Sequence, residues 1–205
     1  MPIDNVLLMK EARETLKGKW GLAVGGSFLY LAITIIVGAP DDVGPILGLL
    51  IDGPMLLGLS VFSLALARKQ EASISQLFLG FNDFVRTFAA YLFMGVFTLL
   101  WLLLLIVPGI IAAYSYSQTF FILAEDKSIS ARNAIKKSKA MMKGNKKRLF
   151  FLSLRFLGWL ILCIPTLGIG LLWLMPYFHV TMAMFYDSVS GKSAPQHAPS
   201  NELEK

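Results

Sequence analysis

The chain has 205 residues, 56% of them hydrophobic and 16% charged, and a formal net charge of +6. A soluble domain carries roughly 45–50% apolar and about 25% charged residues, and a chain this short cannot bury such an apolar surplus inside itself; an ordinary soluble globule is excluded. The basic residues flank apolar runs, which a membrane explains better than a nucleic-acid-binding surface.

In chain order, residues 1–19 mix acidic, amide and basic side chains without a continuous apolar stretch, so they do not read as a cleavable leader, and within them residues 12–18 form a first amphipathic segment. Residues 20–39 form the first run long enough to cross a bilayer, which takes roughly 20 apolar residues, or about 17–25. A turn over 40–45 carries Asp41 and Asp42 and no basic residue, and a second run follows at 46–67. Arg68 and Lys69 precede a second amphipathic stretch, residues 74–80. The third run, 84–107, has Arg86 at its rim; Pro108 and Gly109 turn the chain into a fourth, 109–124. Residues 127–148 hold a dense set of lysines and arginines around a third amphipathic stretch, 130–142. The fifth run is 148–165, the sixth 169–186, and the polar remainder reads as a tail. The fourth and sixth runs are short and carry polar residues, and the alternative of five spans makes one of them re-entrant.

Lysine and arginine alternate across these runs. Every connection on one side is basic, and the turns 40–45, 108–109 and 166–168 contain neither residue. The positive-inside rule then places both termini in the cytoplasm. The expected fold is an all-α membrane protein: six transmembrane helices as three tandem hairpins, each preceded by a short amphipathic interfacial helix. Repeat units fall at roughly 5–69, 70–126 and 127–187 within a single six-span membrane domain, 1–187, and a disordered cytoplasmic tail occupies 188–205. Gly18, Gly80 and Gly144 recur at near-equal intervals, each suited to stop the amphipathic helix. Pro54, Pro108 and Pro176 are expected near the start of the second helix of each hairpin, where a missing N–H does no harm.

Several residues are candidates for more than architecture. Ala134, Ile135, Ser138, Met141 and Met142 share one face of the third amphipathic stretch. That face is expected among acyl chains, with Lys136, Lys137, Lys139 and Lys143 on anionic headgroups at the cytoplasmic side. The other reading of these lysines is that they only enforce topology. Ser27, Ser60, Gln118, Arg155 and His179 fall at similar depth in five of the six runs, about 10 Å from the cytoplasmic helix ends at 1.5 Å per residue. Ionisable groups in hydrocarbon are costly, so these five are candidates for a polar layer; the alternative is that Arg155 snorkels to headgroups and the serines bond to their own backbone. Asp52 is expected as a helix cap. Gly21 with Gly25, and Gly44 with Gly48, are spaced for close helix contact. Trp20, Trp101, Trp159 and Trp173 suit interface anchoring.

Templates for chemistry are absent from the sequence: it contains no His-Glu-x-x-His, nucleophile elbow or phosphate-binding loop. Cys163 is the one cysteine, and His197 lies in the tail, away from His179. Glu125 and Asp126 beside Lys127 read as rim charges, not a metal site. No catalytic residue, metal or cofactor is expected.

Pro108-Gly109-Ile110-Ile111, Tyr114-Ser115-Tyr116, Ala124-Glu125-Asp126, Met142-Lys143-Gly144, Gly158-Trp159, Leu167-Gly168-Ile169-Gly170 and Pro176-Tyr177 occur in one order. This series resembles domain-of-unknown-function family 975 of bacterial integral membrane proteins, over about Glu11 to Tyr186. The resemblance implies a bacterial multi-span protein of the inner membrane and carries no catalytic residues. Three functions stay open. The first is a non-enzymatic scaffold or accessory protein organising partners or lipids, with anionic lipids and a membrane-protein partner or second copy as its contacts. The others are a small transporter or channel using the polar layer, and a lipid-modifying enzyme.

Overall fold

Hydrocarbon offers the backbone no hydrogen-bond partner, so a segment built to cross it must satisfy its own N–H and C=O groups. The apolar runs do so as helices. The computed structural model describes residues 4–39, 42–166 and 168–192, and among these residues there is no strand. Pro40, Asp41, Leu167 and residues 193–205, which include most of the expected tail, lie outside the described residues.

The elements are α1 (Asn5–Leu16), α2 (Trp20–Gly38), α3 (Gly44–Ala67), a 3₁₀ segment (Ile74–Asp83), α4 (Phe84–Leu104), α5 (Ile106–Tyr116), α6 (Thr119–Glu125), α7 (Ala131–Met141), α8 (Lys146–Leu162) and α9 (Leu171–Ser190). Four stretches are long and apolar enough to cross a membrane: Trp20–Gly38, Gly44–Ala67, Ile74–Leu104 and Ile106–Glu125. The last two runs fold as α8 and α9. α8 has only 17 residues and opens on Lys146, Lys147 and Arg148, while α9 carries His179, Asp187 and two serines.

Burial sorts the helices into two sets. In α3, 67% of the apolar window is buried, and in α5–α6, 56%; in α2 the share is 17%, and in the stretch containing α4, 11%. α9 is buried from Val180 through Asp187. α3, α6 and α9 therefore form the centre, with α3 packed on both others. Phe62, Leu66, Ile122, Leu123, Phe185 and Tyr186 are each at most 1% exposed there. α2, α4 and α8 surround it. Residues 99–107, almost wholly aliphatic, are all more than 40% exposed.

The face of α7 expected among acyl chains is instead packed on protein. In α7, Ala134, Ile135 and Ser138 are buried, as is Met142 after it, and the helix packs on α4, α5 and α6. The loop before it explains why. Asp126 Oδ1 accepts from the N–H groups of Ser128 and Ile129, folding the chain back sharply enough to return α7 onto the helix it follows. Small side chains on the inner face then allow close approach. α1 likewise buries Leu8, Ala12 and Leu16, mainly against α9, and the 3₁₀ segment buries Leu77 and Gly80 against α3. The packing is cyclic: α1 covers α9, the 3₁₀ segment covers α3, and α7 covers α5 and α6.

Glycine placement differs from the expectation in an instructive way. Added β-carbons at Gly21, Gly25 and Gly48 would meet nothing within 4 Å, so the Gly21–Gly25 spacing marks no close crossing. The close crossing is between α3 and the 3₁₀ segment. A β-carbon at Gly58 would overlap the Leu77 carbonyl, and one at Gly80 the Pro54 carbonyl. Gly18 and Gly144 turn the chain in the left-handed region, with φ of 78° and 88°; Gly80 is required for contact and not for φ. Of Pro54, Pro108 and Pro176, Pro108 alone sits in a first turn, because α3 and α9 begin well before Pro54 and Pro176; the first-turn proline of α3 is Pro45. For the same reason Asp52 is inside α3 and caps nothing. Its Oδ2 accepts from the Tyr91 hydroxyl on α4 at 2.9 Å.

Candidate functional site

Charged groups that end apolar runs become partners when the runs converge. Arg68 caps α3, Glu125 is the last residue of α6, and Asp187 lies in the last turn of α9. Arg68 Nη2 donates to Glu125 Oε1 at 2.7 Å and to Asp187 Oδ1 at 2.6 Å, and its Nε reaches Asp187 Oδ2 at 3.2 Å. Tyr186 donates its hydroxyl to Glu125 Oε2 at 2.8 Å, and Lys192 Nζ lies 2.8 Å from Glu125 Oε1. Asp187 is the most enclosed, its side chain 5% exposed against 27% for Arg68. The hydrogen bond to Asp187, with that to Glu125, outweighs desolvation and raises the Arg68 guanidinium above its ordinary pKa. Beneath the knot the rings of Phe121 and Tyr186 stack at 5.6 Å.

A second clamp fastens the edge. Arg86, at the start of α4, donates to the carbonyls of Leu123, Asp126, Lys127 and Ile129 and pairs with Asp83 at 3.0 Å. It holds the end of α6 and the following loop onto α4. Hydrogen bonds from Ser128 keep the Asp126 carboxyl below the usual carboxylate range. Glu125 and Asp126 are thus engaged separately and do not face a common centre.

The expected polar layer does not assemble. Arg155 is exposed on the outer side of α8, because that helix touches its neighbours through Leu149, Leu152 and Phe156. His179 is half-buried with its ring 5.6 Å from that of Phe178. Ser60 Oγ donates to the Leu56 carbonyl at 2.8 Å, back to its own helix. Ser27 is buried, and its hydroxyl has no hydrogen-bond partner among the described residues. Gln118 is fully buried at the break between α5 and α6. Its backbone N–H donates to Ser138 Oγ at 3.2 Å, while Ser138 donates to the Ser115 carbonyl at 2.8 Å. Ser138 therefore repairs backbone groups freed where the helix is interrupted, a role its place on the α7 face left open. No hydrogen bond or ion pair joins Ser27, Ser60, Gln118, Arg155 and His179 to one another among the described residues.

Lys136, Lys137, Lys139 and Lys143 are all exposed. Lys136 and Lys139 border a groove between α7 and α4, whereas Lys137 and Lys143 do not line it.

Residues 102–193 match the family model described as "Protein of unknown function (DUF975)". This part of the chain is similar to that family. It is the family that the sequence motifs resemble, but the match begins at the last turn of α4 and not near Glu11. The matched segment holds Glu125 and Asp187 and the whole of α5 to α9; Arg68, which joins the two carboxylates, lies outside it. No curated protein and no solved structure matches the chain.

Proposed function

We propose that the protein is a non-enzymatic scaffold of the bacterial inner membrane. In this reading three tandem hairpins give six spans with both termini cytoplasmic, and the protein organises partners or lipids around a closed centre. Alternating basic connections support the orientation. The cyclic covering of each central helix by an amphipathic segment supports the repeat. α8 and α9, less apolar than the other spans, cross as a pair because α9 turns its polar residues toward the centre.

The observation that carries the reading is the knot of Arg68, Glu125 and Asp187. It ties the ends of all three central helices above a layer of fully buried aromatic and aliphatic side chains. A transporter alternates between packings of its central elements, whereas a partly buried ion triad over a filled core resists such rearrangement. Single cysteines at Phe62, Ile122, Leu66 and Phe185, introduced into a Cys163→Ser background, test it. In membranes they are expected to stay unreactive toward a charged, water-soluble thiol reagent. A continuous ladder of reactive positions would reveal a water-filled path and replace the scaffold by a transporter or channel.

A further inference from the structure

We propose that the groove between α4, α5 and α7 holds an anionic phospholipid of the surrounding bilayer, with its phosphate on Arg132, Lys136 and Lys139 and its acyl chains along α4. This rests on the membrane reading above and gives the scaffold a defined lipid site. The groove encloses about 800 Å³, inside the range of roughly 300–1,000 Å³ common for ligand sites. One wall is α4, which contributes Phe93, Phe97, Trp101 and Leu104. Tyr116 of α5 borders it with its ring 6.5 Å from that of Phe97.

The opposite wall is basic. Arg132, Lys136 and Lys139 follow one another by four and then three residues, so they form one stripe along α7. Their placement is enforced, because Ala134 and Ser138 face inward and fix the rotation of the helix. None of the three makes a hydrogen bond or ion pair among the described residues, in contrast to Arg68 and Arg86, which pair with carboxylates and, for Arg86, backbone carbonyls. Lys139 also borders an adjoining recess of about 180 Å³ with Trp101, Pro108 and Lys146. Cations held beside an apolar wall in a bilayer call for an anion. A free anion would leave the aromatic wall uncovered, and an apolar helix would leave the cations unmatched. An anionic lipid supplies both parts.

A second groove has the same construction one unit further on. It encloses about 410 Å³, with Arg13 of α1 set against Trp159 of α8 and Trp173 and Tyr177 of α9. The recurrence of a cation from the covering helix opposite tryptophan and tyrosine from a hairpin argues that the pairing is a feature of the architecture.

The test uses the full chain with Trp20, Trp159 and Trp173 replaced by Phe, so that Trp101 alone reports on the groove. It is reconstituted in phosphatidylcholine vesicles containing either brominated phosphatidylglycerol or brominated phosphatidylcholine. Half-quenching is expected at a roughly tenfold lower mole fraction of the anionic lipid, since several basic residues act together. The Arg132→Gln, Lys136→Gln, Lys139→Gln triple variant should lose the preference, and the Lys137→Gln, Lys143→Gln pair should keep it. Equal quenching by both lipids, a preference retained by the triple variant, or an equal loss in the control pair overturns the site. Quenching by neither lipid means that protein covers the groove, and also overturns it. If the triple variant fails to fold, the comparison of the two lipids in the parent still decides. Cysteine reactivity of the centre is independent of headgroup charge, so failure of the lipid site and failure of the scaffold reading are separable.

Discussion

The centre and the rim of this molecule use apolar residues to opposite ends. In α3, α6 and α9 the apolar side chains meet one another, and the helix ends are joined by Arg68, Glu125 and Asp187. In α2, α4 and α8 they point outward, with Leu103 84% exposed and Ile36 70%. Hydropathy does not separate α2 from α3: Trp20–Gly38 and Gly44–Ala67 average 2.0 and 1.9. What separates them is small residues and paired charge. Gly53, Gly58 and the buried serines of α3 let other backbones approach, and close packing substitutes for a hydrophobic drive that lipid cannot supply.

If that contrast is right, substitutions at the centre should act strongly and those at the rim weakly. Asp187→Ala leaves Arg68 with Glu125 alone beside a vacated buried site. Breaking a buried ion pair from one side costs about 3–5 kcal/mol, and the partial exposure of Arg68 puts the expectation at the lower end. Thermal unfolding in detergent should show the largest drop here, and an Arg68→Met, Glu125→Gln, Asp187→Leu variant should recover much of it. A triple variant as unstable as Asp187→Ala would mean that the ions act through more than their mutual pairing.

Gly58→Ala forces a β-carbon into the Leu77 carbonyl, a backbone atom that cannot rotate away. Overpacking of this kind costs about 1–3 kcal/mol. Gly25→Ala, which meets open space, should leave the melting temperature unchanged or slightly raised. If both glycines behave alike, the close crossing of α3 and the 3₁₀ segment is not a source of stability.

Ser138→Ala removes the acceptor for the Gln118 N–H and the donor to the Ser115 carbonyl. Leaving such buried groups unpaired costs about 1–3 kcal/mol, with the lower half expected because Gln118 lies at an existing break. Faster hydrogen exchange of the Gln118 amide is the accompanying sign.

At the rim, Leu103→Ala and Arg155→Leu should each change stability by no more than about 0.5 kcal/mol, as surface substitutions do. A large effect of Arg155→Leu would return that residue to a role inside the bundle.

Much of the architecture is legible residue by residue. Uncharged length marks the runs, because it reflects transfer from water to lipid and needs no knowledge of neighbours. Gly18 and Gly144 are readable as stops, since a left-handed residue at a helix end is a local demand. The candidate polar layer was not legible. Ser27, Ser60, Gln118, Arg155 and His179 match in depth, but depth carries no information about rotation, and α8 turns Arg155 outward. The ion knot had a faint trace in Arg68, Glu125 and Asp187, each ending an apolar run on the same side with charges able to pair. Nothing local distinguishes them from rim charges such as Lys127.

The sequence alone determined that this chain is helical, that it is too apolar for water, and that its charges are sorted between connections. Those properties add up along the chain, so composition and spacing suffice to read them. Only the tertiary structure decided which helices are central, that α7 returns onto α5 and α6 with Ser138 at the break, and which cations face the groove. Those depend on the rotation of each helix about its axis, and rotation is settled by contacts between residues far apart in the chain.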